Sequence, residues 1–255
     1  MGIPSSTGQP YVDYMIQQSS LLREENINKL YSENLILSKK VVLQKPKTNS
    51  NLEAQGLPDG NLYMLHHYHF KVHPDMDEII KEIILLDSNS RIIIGYMPTY
   101  STLQCIQHRL FKTLGQQRYT NHIYTLKEQN MNQLLSIIKK ADVALDTFYF
   151  GMGTTALECI YNNLPIVTYP SLSRTHISRV VQEIYIRLDS QLIKEHCIAE
   201  SKNDYIYKTT QLATNKQLNN KIKTEIKENI DKIDQDQKID SNSLAEILYS
   251  ISHET

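Results

Sequence analysis

The stretch ADVALDTFYFGMGTTALECIYNNLPIVT, residues 141–168, decides how the chain is read. VALDT is an apolar run of strand length, FYFGMGTT is a glycine-bearing loop, and TTALECIYNN has the apolar spacing of a helix packed on a sheet. LPIVT then supplies a second short apolar run. The order strand, loop, helix, strand is that of a parallel β-α-β unit.

Working outward, the same rhythm repeats. NLYMLHHYHF (61–70), RIIIGY (91–96), NHIYTL (121–126), DVALDTF (142–148) and LPIVTYP (164–170) read as strands. PDMDEIIKEIILLDS (74–88), TYSTLQCIQHRLFKTLG (99–115), NMNQLLSIIKKA (130–141) and SRTHISRVVQEIY (173–185) read as the helices between or after them. Strands alternating with helical segments favour parallel pairing through right-handed crossovers, so the expected class is α/β: a Rossmann-like parallel sheet with helices on both faces. Pro74 suits the first turn of its helix, and Asp75, Asp77 and Glu78 put negative charge near the positive end of the dipole. Past Asp204 the pattern stays helical to the end, with Lys, Glu and Asn on faces that read as solvated, which predicts a helical C-terminus.

Before this region, NLILSKKVVL (34–43) is followed by KPKTNSNLEAQGLPDG (45–60), whose Pro, Gly, Asn and Ser mark a connection. Residues 1–45 are thus expected to stand apart, with a linker to about residue 60 and the main domain over 61–255.

Composition narrows the function classes. Lys and Arg number 27 against 28 Asp and Glu, so there is no overall basic field for nonspecific nucleic-acid binding. Cys105, Cys159 and Cys197 are odd in number and far apart, fitting neither a disulfide framework nor a CxxC site, and they read as reduced thiols. No membrane partner is expected, because no basic-then-apolar leader opens the chain and no apolar run approaches spanning length. A cytoplasm-like compartment is the expectation.

In an open parallel sheet, ligands bind beyond the carboxyl ends of the strands, where loops enter helices. Gly151 and Gly153 permit close backbone approach, and Thr154 and Thr155 offer hydroxyls and free N–H groups at a helix amino end, a natural anion site. Glu158, three residues past Thr155, is placed to accept a pair of ribose hydroxyls. The alternative is purely structural: a tight turn, a capped helix and a carboxylate complementing the dipole.

The second cluster is LHHYHFKVHPDMD, residues 65–77. His66, His67, His69 and His73 are dense. On a strand, however, they would alternate between two faces, and no Cys or carboxylate joins them at ligand spacing, so a metal site is not favoured. Lys71 near the strand's end instead offers a positive charge to a diphosphate.

Taken together, GIPSSTGQPYVDYMI with YSENLI, FKVHPDMDEIIKEIILLDSNSRIII, and the block over residues 141–180 resemble the O-linked N-acetylglucosamine transferase and SPINDLY family of glycosyltransferases. The blocks occur in the family's order over nearly the whole chain.

The resemblance implies a GT-B architecture, of which this chain supplies the C-terminal, nucleotide-sugar-binding half, and an inverting transfer that needs neither metal nor cofactor. A UDP-sugar, UDP-N-acetylglucosamine above all, would be the donor and a protein Ser or Thr hydroxyl the acceptor. By position, Lys71 would stabilise the leaving diphosphate as the catalytic group, Gly153, Thr154 and Thr155 would hold that diphosphate, and Glu158 would hold the ribose. His67 stands near the family's glutamine and would donate a hydrogen bond to phosphate or sugar. Lys127, in YTLKEQNMNQL, would serve the nucleobase, while Leu134 replaces a ring that stacks on the base in some members. Arg179 aligns with an arginine at the start of a helix. Because Met1 corresponds to a point late in the family's N-terminal catalytic domain, a companion chain or preceding domain would complete the enzyme. The alternative function is a noncatalytic nucleotide-sugar-binding module or a subunit of a split transferase.

Overall fold

A computed structural model describes residues 6–18, 31–38, 46, 56–95, 100–127, 130–170 and 176–253. Strands β1 (Tyr14–Gln18) and β2 (Asn34–Ser38) pair in parallel, with Tyr14 opposite Asn34 and Gln18 opposite Ser38. The loop leading into β1 is organised by the buried Glu33 carboxylate. It accepts hydrogen bonds from the Thr7 hydroxyl, the Thr7 amide and the Ser6 hydroxyl, and these hold it down to about 2. Of the predicted run NLILSKKVVL, the residues beyond Ser38 lie outside the described residues.

The second sheet contains β3 (Asn61–Leu65), β4 (Ser90–Ile94), β5 (Ile123–Thr125), β6 (Val143–Leu145) and β7 (Ile166–Val167), in the order β5-β4-β3-β6-β7 and parallel throughout. Helices α1 (Asp75–Leu86), α2 (Tyr100–His122), α3 (Met131–Lys140), α4 (Thr154–Tyr161), α5 (Val180–Leu188), α6 (Gln191–Cys197), α7 (Lys202–Thr214) and α8 (Lys216–His253) surround it. Leu62, Tyr63, Met64 and Leu65 of β3 are all buried, as a strand covered on both faces requires. The expected α/β class with a helical C-terminus is the one observed. In α8, Ile222, Ile226 and Ile233 are buried at helical spacing, which seats the first half of the helix on the core.

Helix α2 runs past the predicted end at Gly115, whose φ of 75° kinks it, and continues to His122. The continuation QQRYTNH has no apolar period, so periodicity alone stops at the glycine.

The chain passes from β3 outward to β4 and β5, then returns to the other side of β3 for β6 and β7. Loops leaving the neighbouring strands β3 and β6 therefore diverge, and the gap between them is the topological switch point of the sheet.

At the far edge, β7 is only two residues long, and its outer side is satisfied by one side chain. The fully buried Tyr185 hydroxyl donates to the Ile166 carbonyl and accepts from the Ile166 amide, both at 2.7 Å. Tyr185→Phe leaves both groups buried without a partner and is expected to cost about 1–3 kcal/mol. The measurement is the denaturant midpoint, which should fall while the slope of the transition stays unchanged.

Candidate functional site

Leu65 ends β3, so the histidine-rich segment lies beyond the strand, and His69–Lys71 form a single 3-10 turn. The alternating-face expectation for these histidines is corrected accordingly, as is the placement of Lys71 at the strand's carboxyl end. The aromatic and histidine residues after Leu65 prolong an apolar pattern, but the backbone has left the ladder. The rings are held in different ways. His69 Nε2 meets the Gly95 carbonyl at 3.1 Å, and His73 Nδ1 lies 3.2 Å from Asp75. The His66 ring fills the place where a side chain on Gly95 would stand, and burial lowers its pKa to about 4.

The turn is pinned from below by Arg109 of α2. Its guanidinium donates from Nε and Nη2 to Asp77 at 2.9 and 2.7 Å, and from both terminal nitrogens to the Val72 carbonyl at 3.1 Å. A bidentate fork of this kind fixes direction as well as distance. It sets the residue next to Lys71, and the half-buried lysine then reaches across the switch point. Its Nζ lies 3.5 Å from the Gly151 carbonyl and 4.1 Å from the centroid of the Phe150 ring. Two segments 80 residues apart thus meet where the fold predicts a ligand crevice. Phe70, Lys71, His73, Cys105, Tyr149 and Phe150 line a cleft of about 290 Å³ beside this contact.

The loop after β6 is held on both sides. On the outside, the Tyr149 hydroxyl donates to Asp75 at 3.0 Å, and Lys202 of α7 reaches the same carboxylate oxygen at 2.9 Å. On the inside, the fully buried Asp146 accepts the Met152 amide and the Thr168 hydroxyl, each at 2.7 Å, while Tyr205 donates to its backbone carbonyl. Burial pushes Asp146 up to about 7, against the hydrogen bonds from Thr168, Met152 and Thr147 and the charge of Lys71. Sequence reading passed over this residue, since an aspartate ending an apolar run resembles an ordinary strand terminator. Its signal was the glycine five positions later.

The two loop glycines have different duties. A Cβ on Gly151 would stand 3.0 Å from Asp146 Oδ1 and 3.1 Å from Ser178 Cα, so Gly151 is required by packing rather than by ligand approach. A Cβ on Gly153 would meet nothing within 4 Å, so the space in front of it is open. Gly153 caps α4 without a side-chain bond, and the first-turn amides of Thr154 and Thr155 have no intrahelical acceptor. Glu158, one turn further in, is buried, is raised by desolvation, and its carboxylate makes no hydrogen bond among the described residues. A cation, an open helix amino end and a buried carboxylate are complementary to an anion and to a hydroxyl pair.

His67 is tied inward. Its Nε2 meets the Leu145 carbonyl at 2.9 Å, and burial lowers its pKa to about 3, so the ring is neutral and its one N–H is committed inward. The Thr147 hydroxyl beside Nδ1 donates instead to the Phe150 carbonyl. Donation from His67 to a ligand would break the Leu145 bond. Lys127 is exposed two residues beyond the edge strand β5, at the same end of the sheet but two strands from β3. Leu134 is buried in the core, and Arg179 ends the 3-10 turn before α5. Cys159 and Cys197 are buried free thiols and Cys105 is exposed.

A five-stranded parallel sheet with its crevice at the β3/β6 switch point and a helical C-terminus is a Rossmann-like α/β domain, and its structural neighbours give it the GT-B fold. The structure aligns with a mutant of the O-GlcNAc transferase of Thermobaculum terrenum at a TM-score of 0.75 and 17% identity, over 96% of this chain and 46% of that one. It also aligns with a mutant of TarM from S. aureus in complex with fondaparinux, α-GlcNAc-glycerol and UDP, at 0.55 and 12% identity, over 84% and 40% of the two chains. No protein-family model matches. In sequence the chain is similar to the SPINDLY type of O-GlcNAc transferase, as its motif blocks indicate: it is 25% identical over 224 residues to the probable UDP-N-acetylglucosamine–peptide N-acetylglucosaminyltransferase SPINDLY of Eustoma exaltatum subsp. russellianum. That match covers 84% of this chain, which spans 23% of the length of that relative. Among the described residues, no helix is long and apolar enough to cross a membrane.

Two measurements check this arrangement. Gly151→Ala drives a methyl group against the Asp146 carboxylate and the Ser178 backbone, and is expected to lower stability by about 1–3 kcal/mol in thermal or denaturant unfolding. Asp146 titrates higher in the folded than in the unfolded chain, so its contribution is present below about pH 4 and is lost as pH rises toward 7. Wild type should therefore lose stability relative to Asp146→Asn across that window, by roughly 4 kcal/mol at most, with the difference level above it.

Proposed function

We propose that this chain is the donor-binding half of a protein glycosyltransferase, taking UDP-N-acetylglucosamine or a related UDP-sugar for inverting transfer to a protein Ser or Thr hydroxyl. The observation that carries the reading is the meeting of Lys71 with the Gly151–Glu158 segment at the switch point. In it the diphosphate lies in the open space before Gly153, between the Lys71 ammonium and the amides of Thr154 and Thr155, and the Glu158 carboxylate accepts from the ribose hydroxyls. Lys127 faces the nucleobase.

The chemistry follows from charge. As the acceptor oxygen attacks the anomeric carbon from one face, the bond to the diphosphate breaks on the other, and negative charge accumulates on the departing UDP. A fixed ammonium and a helix amino end stabilise that charge more in the transition state than in the bound donor. Fixed positive groups take the place of a metal ion in this scheme. Residues 1–45 belong, on the same reading, to a second domain that brings the acceptor, and residues 61–255 to the donor domain.

Calorimetric titration with UDP tests it. Lys71→Ala and Glu158→Ala should each weaken binding by about 1–3 kcal/mol, the scale of a lost charge-assisted hydrogen bond. Unchanged affinity in both variants would refute the assignment.

A further inference from the structure

Gly151 stands between two charges. Its carbonyl faces the Lys71 ammonium, and a Cβ on it would stand 3.0 Å from the Asp146 carboxylate, so a side chain there would have to displace that carboxylate. We infer that Asp146 is the positioning residue of this site: its carboxylate shapes the loop from inside and supplies the counter-charge for Lys71 past Gly151, which has no side chain to stand between them.

The rest of Asp146's surroundings supports a charge relation with the lysine. Thr168 and the Met152 amide each bind one carboxylate oxygen and carry no charge. Tyr205 from α7 and Cys159 from α4 are buried, and burial raises both, so they stay neutral. His67, after β3, is neutral, and Ser178 contributes its backbone. Glu158 on α4 is a second carboxylate whose charge, like that of Asp146, is felt by Cys159. Lys71 is the cation whose field favours the Asp146 carboxylate, and the Asp146 charge in turn works against the burial that lowers Lys71. A ligand anion before Gly153 would draw on the same ammonium, so the aspartate sets how much positive charge the site presents when empty. Lys71 would touch the ligand, whereas Asp146 acts through Lys71 and through the loop.

The inference rests on Lys71 being the cation of the proposed donor site, yet it can be tested without a donor. In the full chain, amine acetylation is followed residue by residue with mass spectrometry between pH 7 and 10, and Lys71 is compared with the exposed Lys140 in the same sample. Only a deprotonated amine reacts. Asp146→Asn should therefore raise the Lys71 to Lys140 rate ratio about threefold or more, because the counter-charge is gone. Thr168→Val, which removes one hydrogen bond and keeps the carboxylate, should raise it less and guards against a fold defect in the first variant. A ratio unchanged across the pH range in both variants overturns the inference. Protection of Lys71 by UDP is a separate arm: a shifted ratio without protection keeps the Asp146–Lys71 coupling and removes the UDP reading, while protection with an unchanged ratio does the reverse.

Discussion

The site depends on one constraint, a carboxylate buried without a directly bonded cation. Asp146 follows β6 inside the protein, where an ionised group is unfavourable unless hydrogen bonds and a nearby charge compensate. Its two oxygens capture the Met152 amide and the Thr168 hydroxyl, and the chain between Asp146 and Met152 must then fold tightly enough to need a glycine at 151. That fold turns the Gly151 carbonyl outward to Lys71 and leaves the amino end of α4 open. The Arg109 fork performs the matching task for the turn that carries Lys71. Each loop is thus fixed by its own buried polar group before the two meet.

Much of the architecture was legible because strand and helix periods are written in apolar residues. VALDT, TTALECIYNN and RIIIGY mark elements whose side chains must be buried whatever their neighbours do. Element ends were less legible. The run LHHYHF continues to look like a strand after Leu65 because histidine and aromatic rings suit a pleated surface, while the hydrogen bonds that end the ladder are made by residues far away in sequence.

The site divides along the same line. Thr154, Thr155 and Glu158 could be named from local order, since a loop entering a helix exposes amides by geometry. The contact of Lys71 with Gly151 spans 80 residues and follows from topology, which fixes which loops diverge. His67 shows the same dependence on distant residues, since the carbonyl that its Nε2 meets, Leu145, belongs to another strand. Asp146 was invisible for a related reason: nothing in VALDT says that its aspartate points inward.

The external tether of the loop has a further consequence. Tyr149 and Lys202 converge on Asp75, so the segment that presents Phe150 and Gly151 is joined to the first turns of both α1 and α7. Motions of these three regions cannot be independent. If the amino end of α7 frays, Asp75 loses its ammonium partner and Tyr149 loses a well-fixed acceptor, so the loop loosens with it. Such a set behaves as one cooperative unit of local opening, in which amides of α1, α7 and the loop exchange with solvent together although they lie far apart in the chain. Anything that fills the crevice and steadies the loop would then slow exchange at the start of α7, a helix that need never touch it.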